Sequence, residues 1–240
     1  MAAERLARIL VLLAAGGDTG PGVTRLCQVC ASVTHTTGAV IMLGSHEAPL
    51  GSWCTADEVS RLMEEVQYTL GEGPCIDAYN LERPILEPTL AEPETARWPS
   101  FSPVVLKAGA RAVFALPLRT GAVRLGALGL HRETAGPLTN NELADALVVA
   151  DVATRAALCL QTDASASEIA AEIAAGANLR LVVHQACGMV AAQLGIGVTE
   201  ALIRLRGYSF AAERPIGEVA EDIVTRRLRF DPRSGEVYER

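Results

Sequence analysis

The residues best suited to chemistry in this chain are its six cysteines, Cys27, Cys30, Cys54, Cys75, Cys159 and Cys187, together with a few histidines. Cys27 and Cys30 form a Cys-x-x-Cys pair. A redox pair of that kind sits at a helix N-terminus after a strand, where the dipole lowers the thiol pKa. Here the pair falls in the middle of a helical pattern, on the face of Val23 and Leu26, so two small core side chains are expected. A zinc site needs a second pair of ligands at matching spacing. His35 and His46 do not supply one, Cys54 stands alone, and no metal site is assigned. Cys75 follows the sharp turn "GEGP" and is a candidate for lining a pocket. Thiol redox catalysis needs an attacking and a resolving thiol together, and Cys54 with Cys75 is the pair that would have to meet. His131 ends a strand-like run and is a further pocket candidate, although a histidine there is more often solvated. His184 and Cys187 stand three apart, too few ligands for a metal; exposure is expected for His184 and packing for Cys187. No catalytic residue is assigned.

A second concentration of reactive groups lies in "EALIRLRGYSFAAERPIGEVAEDIVTRRLRF", which gathers six arginines in a chain of formal net charge -7. A phosphate-binding face needs guanidinium groups to converge. Arg204 and Arg206 are about 200° apart on a helix of 3.6 residues per turn. Arg226 has Asp222 four residues before it, an ordinary surface pair. Arg226, Arg227 and Arg229 lie at a helix C-terminus, where the dipole favours cations in any case. Number and spacing alone favour a solvated face.

The chain that must position these groups has 240 residues, half of them hydrophobic, enough for one large or two small packed domains. Residues 178–240 hold 9 basic and 8 acidic side chains, against 12 and 20 in residues 1–177, so the two ends differ mildly in the partners they suit. Lys107 is the only lysine, which weakens any reading of arginine as a choice for phosphate. The opening "MAAERLARILVLLAAGG" has a short apolar run, and Leu6, Ile9, Leu10 and Leu13 follow helical spacing, so an amphipathic helix is expected rather than a signal peptide. No run approaches the roughly 20 apolar residues of a membrane span. A cytoplasmic protein without a membrane partner is expected, with buried thiols rather than disulfides.

The periodicities then predict helices over 4–15 and 23–33, a core strand over 38–44 and its hairpin partner within 47–55. Asp57 caps a helix running to about Leu70, ended by "GEGP". A helical turn at 74–80, a short strand in "RPILEP" and a helix at 99–108 follow. "ARAVFALPL" and "VRLGALGLHR", joined at "RTGA", are the clearest hairpin. Thr139 and Glu142 form a capping box at the head of a long helix, and Ser165 with Glu168 forms a second. The order implies an α+β domain with a mostly antiparallel sheet. Beyond residue 168 no strand signal remains. Three helical stripes follow, the first ended by Gly195, the second opened at Gly197, the third with Pro215 at its first position.

The stretch "HQACGMVAAQLGIGVTEALIRLRGYSFAAERPIGEVAEDIV" resembles the ANTAR domain, a three-helix RNA-binding module of bacterial transcription antiterminators. The match lies at Ala186, Gly188, Met189, Glu200, Ala201, Leu205, Arg206, Val219, Ala220 and Ile223. "LGEGPC", "RWPSF" and "LPLRTGAVRLGALGLH" resemble a GAF domain of the kind joined to ANTAR in actinobacterial regulators. Gly197, where ANTAR usually has Ser or Thr, and "ETARWP", which lacks an acidic residue before Arg-Trp-Pro, depart from the patterns. The resemblances imply a GAF sensory domain at 1–160 and a linker at 161–167. They imply an ANTAR bundle at 168–229 and leave 230–240 as a flexible tail.

The implied function is antitermination. A homodimer, paired through a coiled coil, would bind tandem hairpin loops in nascent mRNA under control of a small-molecule, redox or protein signal, with no cofactor. Arg206 aligns with the family's Leu-Arg position and leads the RNA-binding candidates. Arg204, Tyr208, His184, Gln185, Arg214, Arg226 and Arg227 join it, Tyr208 as a base-stacking residue, while Phe210 is expected to pack between helices. Ligand-pocket candidates are Cys75, Cys54, His131 and Trp98. Two other readings stay open. One is a GAF-fold thiol enzyme resembling free methionine sulfoxide reductases, with the bundle as a dimerisation module. The other is a DNA-binding regulator, against which Glu218, Glu221 and Asp222 on the third helix argue.

Overall fold

The computed structural model describes residues 2–15, 22–44, 50–90, 97–162, 182–231 and 237–239. The second capping box, most of the expected linker and the start of the first hairpin partner lie outside these residues. The chain divides into two compact units, Met1–Glu172 and Ile173–Arg240.

The first unit opens with two helices, α1 (Ala2–Ala14) and α2 (Gly22–Val33), then a hairpin of β1 (Gly38–Leu43) and β2 (Gly51–Thr55). Helices α3 (Glu58–Leu70) and α4 (Pro74–Leu81), strand β3 (Ile85–Glu87) and helix α5 (Phe101–Lys107) follow. The long hairpin β4 (Ala112–Thr120) and β5 (Val123–Arg132) and the helix α6 (Asn140–Thr162) complete it. The five strands form one antiparallel sheet in the order β2-β1-β5-β4-β3. It is the α+β arrangement that the alternation of elements implies.

Local chemistry sets the element ends. Asp57 caps α3, its side chain accepting from the Ser60 N–H at 2.7 Å, and Gly71 closes the helix with φ +69. The Thr139–Glu142 box forms in both directions, at 2.7 and 3.3 Å. Gly121, at φ +56, makes the β4–β5 turn. The β1–β2 register slips between Ile41 and Met42, leaving Trp53 as an extra residue in β2, a β-bulge on an edge strand.

Each face of the sheet is covered by helices. Val40, Met42, Val113, Ala115 and Ala127 meet Met63, Cys75, Ala78, Phe101 and Val105 from α3, α4 and α5 in one buried cluster. Ala39, Ile41, Phe114, Leu116, Leu128 and Leu130, on the alternate positions, are also buried, and α2 and α6 pack on the sheet as well. The α1 stripe is shifted from its expected position: Ile9 is buried, but Leu10 is 49% exposed.

The second unit holds α7 (Val182–Leu194), α8 (Val198–Ala211) and α9 (Ile216–Val224), with α7 and α8 bent at 103°. Pro215 stands at the cap rather than the first turn of α9. Val183, Ala186, Val190, Ala201, Leu205, Ile216, Val219, Ala220 and Ile223 are buried, as their spacing implies. Within the segment expected as a tail, residues 230 and 237–239 are paired as strand. β6 (Leu228–Phe230) pairs with β7 (Val237–Glu239) as an antiparallel hairpin. Three-residue strands are too short to show an alternation. What fixes the hairpin is long-range: Phe230 donates its N–H to Gln193 Oε1 at 3.0 Å and meets the Tyr208 ring edge-on at 6.1 Å. Among the described residues, no single helix is long and apolar enough to cross a membrane.

Candidate functional site

In the first unit, the four residues expected to line a ligand pocket do not share one. Cys54 is joined to Cys27 by a disulfide, with Cα atoms 6.2 Å apart. This overturns the reading of Cys27 as a mere core side chain and of Cys54 as a lone thiol. Cys75 is buried in the cluster under α4. It lies so close to β5 that a Cβ at Gly129 would stand 2.6 Å from its Sγ. Cys54 pairs with Ile41, whose side chain points away from that cluster. The sheet therefore separates Cys54 from Cys75, and the two are not an attacking and resolving pair. Burial pushes the Cys75 thiol up to about 12, opposite to what a nucleophile needs.

Trp98 is also a core residue, 3% exposed, with its ring edge-on to Phe101 at 5.8 Å. Its Nε1–H donates to Asp77 at 3.1 Å, and Asp77 also pairs with Arg97 at 2.9 Å. Asp77 thus supplies the carboxylate that "ETARWP" lacks in sequence. Glu72 of "LGEGPC" reaches the other motif too: its Oε1 accepts from the backbone N–H groups of Ser100 and Phe101 at 2.7 and 2.8 Å. Two motifs far apart in the chain are each other's structural partners. Replacing Glu72 by alanine is expected to cost about 1–3 kcal/mol, since it removes a charged acceptor from two N–H groups at the head of α5. Glu72→Gln, which keeps an acceptor, should lose less, and urea denaturation of the two variants measures the difference.

His131 is not solvated. It is 1% exposed, and its Nε2 stands 3.3 Å from both carboxylate oxygens of Asp57. Burial pushes the Asp57 carboxyl up, but hydrogen bonds from His131 and Ser60 outweigh it and leave the group below its ordinary range. The contact needs a glycine at 38. A Cβ there would run into Asp57, His131 and Ser60 together. Nothing near His131 in sequence points to Asp57, which lies 74 residues away, although Asp57 is legible as a cap.

A polar cleft of about 550 Å³ opens elsewhere on this unit, lined by Glu4, Arg5, Arg8, His35, Thr139, Asn141, Glu142 and Asp145. Asp145 holds Arg5 at 2.7 Å and Arg8 at 2.8 Å, so its charges are largely matched internally. Among the described residues, no group of three or more His, Cys, Asp or Glu is placed to hold a metal ion.

In the second unit the arginines separate by environment. Arg204 is exposed and faces Glu200 at 3.8 Å. Arg214 pairs with Asp222, which also holds Arg227 at 3.2 Å. Asp222 therefore serves Arg214 and Arg227, not Arg226 as the i, i+4 spacing suggests. Arg226 has left the helix, at φ +64, and is exposed with no acidic partner among the described residues. Arg206 is half-buried on α8, near enough to Cys187 of α7 for its charge to act there; burial pushes that thiol up to about 11 while Arg206 draws it down. His184 and Gln185 are exposed on α7. The two aromatic residues exchange their expected places. Tyr208 is half-buried against Phe230, whereas Phe210 is 60% exposed. Phe210 follows Ile203, 61% exposed, by seven residues, and the stripe they share points away from the bundle.

A five-stranded antiparallel sheet between helical layers is followed along the chain by a small helical bundle. The family model for the GAF domain matches residues 23–157, and that for the ANTAR domain matches residues 171–224. The chain belongs to the GAF family and carries an ANTAR domain behind its GAF domain. GAF domains sense signals and ANTAR domains bind RNA in antitermination, so this architecture is that of a regulator.

One solved structure supports the GAF fold, and two others show a likeness alone. The GAF domain of an Acinetobacter phosphoenolpyruvate-protein phosphotransferase is similar at 10% identity, TM-score 0.50, covering 68% of this chain and 96% of that one. The second GAF domain of DevS from Mycobacterium smegmatis is similar at 18% identity and TM-score 0.43, over 58% and 93% of the two chains. A type II free methionine-R-sulfoxide reductase from Thermoplasma acidophilum is similar at 12% identity and TM-score 0.43, over 65% and 94%. No curated protein matches the chain significantly.

Proposed function

We propose that this chain is a transcription antiterminator without catalytic activity. Its bundle binds paired hairpin loops in nascent mRNA, and its GAF domain sets whether it does so. The observation that carries the reading is the ANTAR match over residues 171–224, which coincides with α7, α8 and α9. The exposed groups on these helices and the turn after them include His184, Gln185, Arg204 and Arg226, with Arg206 half-buried. Arg214, Arg227 and Tyr208 are each engaged within the unit and contribute less directly.

The functional domains run from 1 to 160 and from 168 to 229, joined by a linker at 161–167. The protein acts in the cytoplasm as a homodimer joined by a coiled coil. Two bundles in one dimer gain avidity when two loops lie at compatible spacing. The GAF domain reads a small molecule, a redox state or a protein, and no cofactor is needed.

The thiol-enzyme reading loses its basis with Cys54 bonded to Cys27. The DNA reading is weakened by α9, whose exposed residues are Glu218 and Glu221, with Asp222 half-buried beside them. The test is single-round transcription across a leader in which two loops precede a terminator. Added protein should raise readthrough, and the effect should vanish when one loop is deleted. Unchanged readthrough with both loops present would contradict the proposal.

A further inference from the structure

The disulfide between Cys27 and Cys54 lies within the first unit. It ties the middle of α2 to β2, the edge strand of the sheet, across 27 residues of chain. A unit with this large a buried core does not need such a staple to fold. A protein that works on nascent RNA works where the thiol pool keeps permanent disulfides reduced. Disulfides found in that compartment are usually transient and report on redox state.

We propose that the Cys27–Cys54 bond is the redox switch of the GAF domain, opened by a dithiol reductant of the thioredoxin class. The inference rests on the regulatory reading above and names its signal. Cys27 is fully buried, while Cys54 is 6% exposed on the edge strand, beside the bulge at Trp53. β2 has a ladder partner on one side only, so parting it from β1 is the least costly route to the bond. A reductant thiolate attacks Cys54 Sγ and the S–S bond breaks. Cys27 leaves as a thiolate and takes up a proton. The second reductant thiol then attacks the mixed disulfide, Cys54 leaves as a thiolate and is protonated, and the reductant departs as its own disulfide. Two electrons and two protons have entered the protein.

Cys30 lies one turn along α2 from Cys27 and is fully buried. Burial pushes its thiol far above the ordinary cysteine range, so it stays protonated and does not exchange with the bond. The signal has a physical path outward. α2 packs on α6, the last described element before the second unit. Opening the bond removes the covalent tie between α2 and β2, leaving only their packing, and loosens the seat of α6.

The test uses the full-length protein, oxidised and then held in a thioredoxin buffer, without denaturant. Thiols are counted by alkylation and mass, and hydrogen exchange is followed segment by segment. Two new thiols, located at Cys27 and Cys54, are expected. They should appear with at least tenfold faster exchange in β2 and α2 and a smaller rise in α6, all reversed on reoxidation. Cys30→Ala should behave as the parent does. A bond that opens only in denaturant, or that opens without any change in α6, would overturn the switch. Exchange that responds while neither state binds hairpin RNA supports the switch and counts against the RNA reading instead.

Discussion

Asp57→Ala is expected to lower the stability of the first unit by about 2–4 kcal/mol, the largest effect of any single polar substitution described for it. Two losses combine. The Ser60 N–H at the head of α3 loses its acceptor, a capping loss of about 0.5–2 kcal/mol. His131, 1% exposed, loses the carboxylate facing its Nε2, and a buried polar group left without a partner costs about 1–3 kcal/mol.

The pH dependence follows from the lowered pKa of Asp57. A carboxyl whose folded pKa is depressed adds stability above its unfolded value, about 3.9, and that stability is lost as pH falls through the folded value. The difference between parent and Asp57→Asn should therefore be full at neutral pH and shrink below about pH 4. Chemical denaturation at several pH values checks it, and a difference that persists unchanged at acid pH would contradict the assignment.

Arg206→Ala is expected to weaken RNA binding by about 10–100-fold, the range for losing one guanidinium contact of about 1–3 kcal/mol. Arg206 differs from its neighbours in how it is held. Arg204 leans on Glu200 at the surface, and Arg214 and Arg227 are both held by the half-buried Asp222. Arg206 is half-buried on α8 with its charge in reach of Cys187 on α7, and partial burial restricts the rotamers of its stem. A fixed donor loses less side-chain entropy on binding than a free one. Arg206→Lys keeps the charge but loses the planar fork, and should recover only part of the affinity. Thermal melts of both variants separate a lost contact from a loosened bundle.

Local signals are legible in the sequence. Asp57, Gly71, the Thr139–Glu142 box and the β4–β5 hairpin are set by residues within one turn of each other, and each is found where spacing placed it. Distant partners are not legible there. Spacing cannot show that Cys27 bonds Cys54, that His131 meets Asp57, or that Phe230 returns to Tyr208. The exchange of roles between Tyr208 and Phe210 has the same origin. Both follow the helical run, and only the β6–β7 hairpin, unreadable from three-residue strands, decides which one is covered. The motifs "LGEGPC" and "RWPSF" are legible as a resemblance, but the contacts that join them, Glu72 with Ser100 and Asp77 just beyond the first motif with Trp98, span more than twenty residues and are not.

The central claim is that the bundle recognises RNA loops. Titration of the full-length protein against a tandem-hairpin leader RNA, at two salt concentrations and beside duplex DNA of equal length, tests it most directly. The account predicts loop-dependent RNA binding that weakens as salt rises, as neutralised phosphates require, and that is largely lost in Arg206→Ala. Equal binding to duplex DNA, or a folded dimer that ignores the RNA at both salt concentrations, would contradict it.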